Sequence, residues 1–413
     1  MAEGFIPARK AELIAALAAE GGLAESVGAR FTALARLLAA LLHHRAHDEL
    51  ERLKALYAPL DPDAPPARRG AGEAPVNAFL EALTETLARA NFTAIEAGVE
   101  SQGRTRLTAD LRLKASDAGI RTIRYFARGG HDESVSLKSL FGLLKKDVQA
   151  EILDDVVVLV AFKDEGEIQR KDRRAFRDMR RGIRPGAVIV KHFRHVARAE
   201  LITLHPGATP TMRPRDQVIM AAPAIAGGLP LLLQLGPAIT VLFAVLAAYF
   251  GMGGVIDNNR LQQALAAMSG LVAVGAFVLR QKMKYERQTL LYQKQLADTV
   301  YFRNLANNAG VLDALIGAGE EQDGKEALLA YWALLKNNTA MTKAEIDKAA
   351  EAFLRAHFAM NVDFEIGDAL GKLERLGLVE RTGEAYAAIG IDAALAKLDA
   401  AWDALFAHAP TSQ

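Results

Sequence analysis

The stretch Gln217-Val-Ile-Met-Ala-Ala-Pro223-Ala-Ile-Ala-Gly-Gly-Leu-Pro230-Leu-Leu-Leu-Gln-Leu-Gly-Pro237-Ala-Ile-Thr-Val-Leu-Phe-Ala-Val-Leu-Ala-Ala-Tyr-Phe-Gly-Met-Gly-Gly-Val-Ile256 decides how this chain reads: forty residues pass without one ionisable side chain. As one straight helix it would run about 60 Å, twice the roughly 30 Å of bilayer hydrocarbon. It must therefore break. Pro223, Pro230 and Pro237 recur at seven-residue spacing beside Gly227, Gly228 and Gly236, and each interior proline removes a helical hydrogen bond and clashes with the preceding turn. Beyond Pro237, Ala238–Ile256 reads as one span, Asp257-Asn-Asn-Arg260 as a polar turn, and Leu261–Leu279 as a second span. Ser269, Gly270 and Gly275 would let the two helices approach closely. The expectation is a two-span transmembrane hairpin.

Basic residues set the expected orientation. Arg213 and Arg215 precede the segment, and Arg280, Lys282, Lys284 and Arg287 follow it. Both outer ends are basic, so both termini are expected on the cytoplasmic or matrix side, with an even number of crossings. Residues 218–235 then read as an interfacial or re-entrant helix. No apolar h-region of a signal peptide occurs in Met1–Lys10. The expected location is the inner membrane of a bacterium, or a mitochondrial membrane in a eukaryote.

Around this segment the chain divides by pattern. It has 413 residues, 51% hydrophobic, with 50 Lys and Arg against 49 Asp and Glu. That balance does not mark a general polyanion binder. The absence of cysteine excludes disulfide frameworks, thiol nucleophiles and thiolate-ligated metals. Leucine-rich helical spacing marks 1–60 as a helical region, and the Pro- and Gly-rich 61–75 is a linker. Alternating short apolar runs (Leu107–Leu113, Ile120–Phe126, Val156–Phe162, Ala187–Phe193) make 76–212 an α+β domain. The hairpin with its flanks occupies 213–287, and a helical connector 288–340. In 341–407, a capping box at Thr342 and Glu345 opens a helix, a second helix ends at Leu376-Gly377, and two short strands precede a last helix, which is a winged-helix-like order. The expected fold class is an α+β membrane protein: N-terminal helices, a small α+β domain, a transmembrane helical hairpin, and C-terminal helices with a winged-helix module.

Two clusters stand out as candidate sites. Arg170, Lys171, Arg173, Arg174, Arg177, Arg180, Arg181 and Arg184 are interrupted only by Asp172 and Asp178 among charged residues. Near a bilayer such a run would bind lipid head groups or other anions, at about 1 kcal/mol per cation; a solvated loop is the bland alternative. Arg303, Asn304, Asn307 and Asn308 lie among apolar residues where the connector helix ends. They form either a hydrogen-bonded helix junction or a polar pocket.

Other patterns carry less. His43 and His47 share a helical i,i+4 face, but His44 stands where a metalloprotease helix has glutamate. His192 and His195 have no evident third ligand. Gly319-Glu-Glu-Gln-Asp-Gly324-Lys325 matches the letters of a phosphate loop, yet its three acidic residues repel phosphate and Glu326 replaces the magnesium-binding hydroxyl. A helix junction is the expected reading there. Asp363, Glu365, Asp368 and Glu374 outnumber Lys372 and Arg375 on the winged-helix element that would face DNA, which argues against nucleic acid. No catalytic constellation, cofactor or metal set is evident.

Several stretches together resemble a known family. They are Phe5-Ile-Pro-Ala-Arg9, the run Glu51–Pro62, Val188–Leu204, Pro223–Leu232, Tyr301–Gly310, Glu320–Leu335 and Asp363–Leu370. The chain is similar in these to the transmembrane protein 143-like family, a domain of unknown function with bacterial members and a mitochondrial animal member. The resemblance implies a membrane protein with a two-span hairpin and no established activity, and carries over no catalytic residue. The function expected is a non-enzymatic membrane-anchored adaptor or scaffold. Its partners would be the bilayer with anionic lipids, and a protein or second copy docked through 341–407. The alternative is a homo-oligomeric channel or lipid-handling protein.

Overall fold

The computed structural model describes residues 5–20, 25–65, 72–96, 102–105, 111–139, 144–180, 182–211, 240, 243–251, 258–362 and 366–405. Contacts divide the chain into two units. One comprises Met1–Gly98, Asp117–Arg198 and Arg303–Gln413, and the other Val99–Ser116 and Ala199–Phe302.

The first unit is organised by strand β6 (Leu144–Phe162), whose second half is the apolar run Val156-Val-Val-Leu-Val-Ala-Phe162. An uninterrupted run suits a strand covered on both faces, and every residue of it is buried. β4 (Ile120–Arg128) and β7 (Val188–Ala197) flank this half in antiparallel register, with Phe126 opposite Val157 and Val190 opposite Leu159. The first half of β6 pairs instead with β5 (His131–Ser139). β1 (Thr93–Ile95) and β9 (Asn304–Asn307) complete the six-stranded antiparallel sheet in the order β1-β4-β6-β7-β9.

The helices that accompany the sheet among the described residues are α1 (Lys10–Ala19), α2 (Glu25–Tyr57), α3 (Glu73–Arg89), the short α4 (Arg173–Arg180) and four later in the chain. Asn258–Arg303, in the other unit, is α5, and a second long helix of the first unit, Ala309–Asn337, is α6. Sheet residues Phe126, Val157, Leu159, Val188 and Val190 pack on Leu53 and Tyr57 of α2, Phe79 and Leu83 of α3, and Leu312 and Leu315 of α6. The Tyr57 hydroxyl, buried in this core, donates to the Val188 carbonyl at 3.0 Å.

The other ends of α2 and α6 enter a second core. Phe31, Leu34 and Leu38 meet Leu328, Tyr331 and Trp332 there, with Leu13 and Leu17 of α1 alongside. The same core takes in Ile346, Phe353, Leu370, Leu373, Tyr386 and Leu398 from the C-terminal segment. That segment consists of β10 (Met341–Thr342), α7 (Lys343–Phe358), α8 (Ile366–Arg375), a hairpin of β11 (Val379–Thr382) and β12 (Ala385–Ala388), and α9 (Ile391–Ala404). The Glu345 amide donates to Thr342 Oγ1, and the Thr342 amide donates to Glu345 Oε2 at 2.8 Å, which closes the capping box.

The second unit contains the antiparallel sheet β2 (Gln102–Thr105), β3 (Leu111–Lys114) and β8 (Thr209–Thr211), in the order β2-β3-β8. It also holds a helical stretch at 243–249 and α5, whose 46 residues make it about 69 Å long.

The α+β class stands, but the transmembrane hairpin does not. Among the described residues no helix is long and apolar enough to cross a membrane. Of the first expected span, residues 243–249 are helical, while 238–239, 241–242 and 252–256 lie outside the described residues. The second expected span, Leu261–Leu279, is no separate element. It forms the first part of α5, opens on Gln262 and Gln263, and continues into a polar half that carries Arg280, Lys282, Lys284, Glu286 and Arg287. The expected interfacial or re-entrant helix, 218–235, lies outside the described residues.

Candidate functional site

The basic segment is built onto the sheet by one aromatic residue. Phe176 of α4 is buried edge-on to Phe162, with ring centroids 6.0 Å apart. The neighbouring Gly119 has φ +76°, and a Cβ there would stand 2.1 Å from the Phe176 ring. Arg170, Lys171, Arg173, Arg174 and Arg177 around this anchor are exposed. Arg184 has a different role. Its guanidinium donates to the carbonyls of Pro59 (2.5 Å) and Asp61 (3.3 Å), closing the chain beyond α2. Arg180 belongs to α4, but its side chain, like all of Arg181, lies outside the described residues.

The asparagine cluster becomes an edge strand. Lys191 stands opposite Asn307, His192 opposite Ala306, and Phe193 opposite Asn304 across a register shift. Asn308 then turns the chain at φ 52°, donates its amide to the Val190 carbonyl at 2.7 Å and precedes α6. The Oδ1 atoms of Asn304 and Asn308 are buried without a hydrogen-bond partner. Arg303 ends α5 immediately before the strand.

Next to this edge is a polar group with no sequence motif. Asp155 of β6 accepts from Arg128 Nη2 at 2.7 Å and shares a hydrogen bond with His192 Nε2 at 3.1 Å. Burial opposes its ionisation, but the hydrogen bonds from His192 and Arg128 and the Arg128 charge prevail, holding its pKa at about 2. The Arg128 guanidinium also stands over the rings of Phe92 and Phe5, 4.8 and 5.1 Å from their centroids. Only the isolated Asp154-Asp155 pair in an apolar strand hints at this group in the sequence, because its three members are brought together by cross-strand register.

The phosphate-loop letters fall in the interior of α6, not at a helix junction. Gln322, Lys325 and Glu326 are buried there and hold the N-terminal segment: the Ile6 amide donates to Gln322 Oε1 at 3.1 Å and Lys325 Nζ to the Ile6 carbonyl at 2.7 Å. Gln322 Nε2 donates to Glu326 Oε1 at 2.8 Å. Burial raises the Glu326 carboxyl to about 7, with Asp323 and Asp368 adding to the effect against the opposing Gln322 hydrogen bond and Lys372 charge. Lys372 of α8 is itself buried and ion-paired with Asp323 and Asp368. Among the histidines, His43 meets Glu320 at 2.8 Å and His44 faces Asp48. No group of three metal-ligating side chains occurs among the described residues.

A further exposed feature is α5. Leu265, Met268, Val272, Leu279, Met283, Leu290 and Tyr301 follow helical spacing along it and are exposed, Val272 by 68% and Tyr301 by 76%. Its sequence carries seven basic residues against Glu286 and Asp298.

Fold and surfaces together define an α+β protein on a buttressed antiparallel sheet, with a long basic helix that exposes its apolar side chains. A family model described as a protein of unknown function (DUF3754) matches residues 153–310, which include the basic segment, α5 and the asparagine strand. Neither a curated protein nor a solved structure matches the chain.

Proposed function

We propose that this protein is a non-enzymatic adaptor that lies against an anionic lipid surface through α5 and presents its folded units to protein partners. The observation that carries the reading is the row of exposed apolar side chains on a helix with an excess of five positive charges. Exposed apolar side chains of a basic helix can enter the boundary of head groups and acyl chains while its cations meet anionic head groups. Self-pairing of α5 would bring like charges together, which favours the anionic surface over a second copy. The exposed cations of α4 offer a further anion-binding surface. We infer a relation to the transmembrane protein 143-like family from stretches such as Tyr301–Gly310 and Glu320–Leu335.

Co-sedimentation of the full chain with vesicles tests it. Vesicles containing phosphatidylserine should retain the protein in a salt-sensitive way, and phosphatidylcholine vesicles should retain it far less. The triple variant Lys282→Glu, Lys284→Glu, Arg287→Glu should weaken binding by about two orders of magnitude, at roughly 1 kcal/mol or more per cation. Equal retention on neutral vesicles, or an unaffected triple variant, would overturn the reading.

A further inference from the structure

Between α2, α3, α6 and α8 the first unit holds an open cleft of about 220 Å³. Its floor is apolar: Leu42 and Ala46 come from α2, and Leu315 and Ile316 from one turn of α6. The charged side chains around it divide into two groups. Each lining carboxylate already has cations of its own. Glu49 pairs with Arg89 and accepts from Thr86 Oγ1 at 2.8 Å, Asp323 pairs with Lys372, and Glu320 is held by Lys10 and His43. Arg45 and Arg375 also line the cleft, are exposed, and have no carboxylate partner among the described residues. With Glu49, Asp323 and Glu320 matched in this way, the two arginines are the lining cations left to meet an anion.

We propose that this cleft binds a small organic monoanion, a carboxylate with a short aliphatic body, its charge held by Arg45 and Arg375 and its chain laid on Leu42, Leu315 and Ile316. The apolar floor favours an amphiphile over an inorganic ion, because such a ligand removes hydrocarbon from water while its head remains at the mouth. The three lining carboxylates favour a carboxylate over a phosphate dianion, whose second charge would stand near Glu49, Glu320 and Asp323. A guanidinium donates two parallel hydrogen bonds to a carboxylate, so two of them supply both affinity and orientation.

Calorimetric titration of the full-length protein with octanoate tests the site, with octanol and octyl phosphate as comparison ligands. Octanoate should bind saturably with one molecule per chain, and more tightly than either comparison. Arg45→Gln with Arg375→Gln replaces two exposed side chains and should weaken octanoate roughly tenfold or more. Gly319→Leu supplies an independent variant. A Cβ at this cleft residue meets nothing nearer than Ala90 Cβ at 3.8 Å, so a side chain can enter the space the ligand would occupy, and binding should be lost. The α5 triple variant should leave octanoate binding unchanged, which separates this site from lipid docking. The proposal is overturned if octanoate shows no saturable binding, if octanol binds equally well, if octyl phosphate binds more tightly, or if the arginine and glycine variants change nothing.

Discussion

Glu326 lies in the polar belt of α6 between two apolar cores, and its environment makes stability depend on pH. Its folded pKa, about 7, is above the ordinary 4.5, so the folded state holds a proton that the unfolded chain has released. The associated stability is therefore complete below about pH 4.5 and declines as pH rises through about 7, by on the order of 3 kcal/mol. Glu326→Gln should flatten this dependence and raise the melting temperature at pH 8, as thermal melts across pH 4 to 8 will show. Asp155 has the opposite sign. Its pKa is depressed to about 2, so its contribution is present above the unfolded value of 3.8 and is lost as pH falls through 2. Asp155→Asn should cost about 3 kcal/mol at neutral pH by leaving Arg128 without its buried counter-charge, measurable by denaturant titration. Neither role is legible in sequence, where Glu326 follows the phosphate-loop letters at an expected helix junction.

At the scale of the element, much was legible. The apolar run Val156–Phe162 has the composition of a fully covered strand, and the spacing of Thr342 and Glu345 marks the start of α7. Thr342→Ala should lower stability by about 1 kcal/mol, read from the shift in denaturation midpoint. Placement of α4 depends on a contact that local pattern does not reveal. Gly119→Ala would push a Cβ into the Phe176 ring and strain a left-handed backbone. Proteolysis should then cleave within 170–180 much faster than in the parent chain, while the sheet remains folded by circular dichroism. The edge strand Asn304–Asn307 was also illegible, because its strand geometry comes from pairing with β7, more than a hundred residues earlier.

Across the whole molecule, α2 and α6 connect the two cores of the first unit. The C-terminal segment 341–405 packs into the same core as α1, α2 and α6, so its helices and hairpin are structural members of that unit. A chain truncated after Ala340 would expose the faces of Leu328, Tyr331 and Trp332. It should lose cooperative thermal unfolding and bind a hydrophobic dye, whereas an independent module would leave a stable remainder. Partner recruitment is therefore better probed by surface substitutions than by removing this segment.

The sequence by itself determined what depends on local pattern: the α+β class, the helical and strand character of its periodic stretches, the order of two helices, two strands and a last helix in the C-terminal segment, and the basic segment. Tertiary structure decided the rest, because those properties depend on residues far apart in the chain. Register assembled Arg128, Asp155 and His192, helix packing formed the cleft between four helices, and burial set the charge state of Glu326. It also overturned the hairpin. An uncharged composition can be read residue by residue, but a membrane span requires continuous apolar helix of sufficient length, and no described helix provides it.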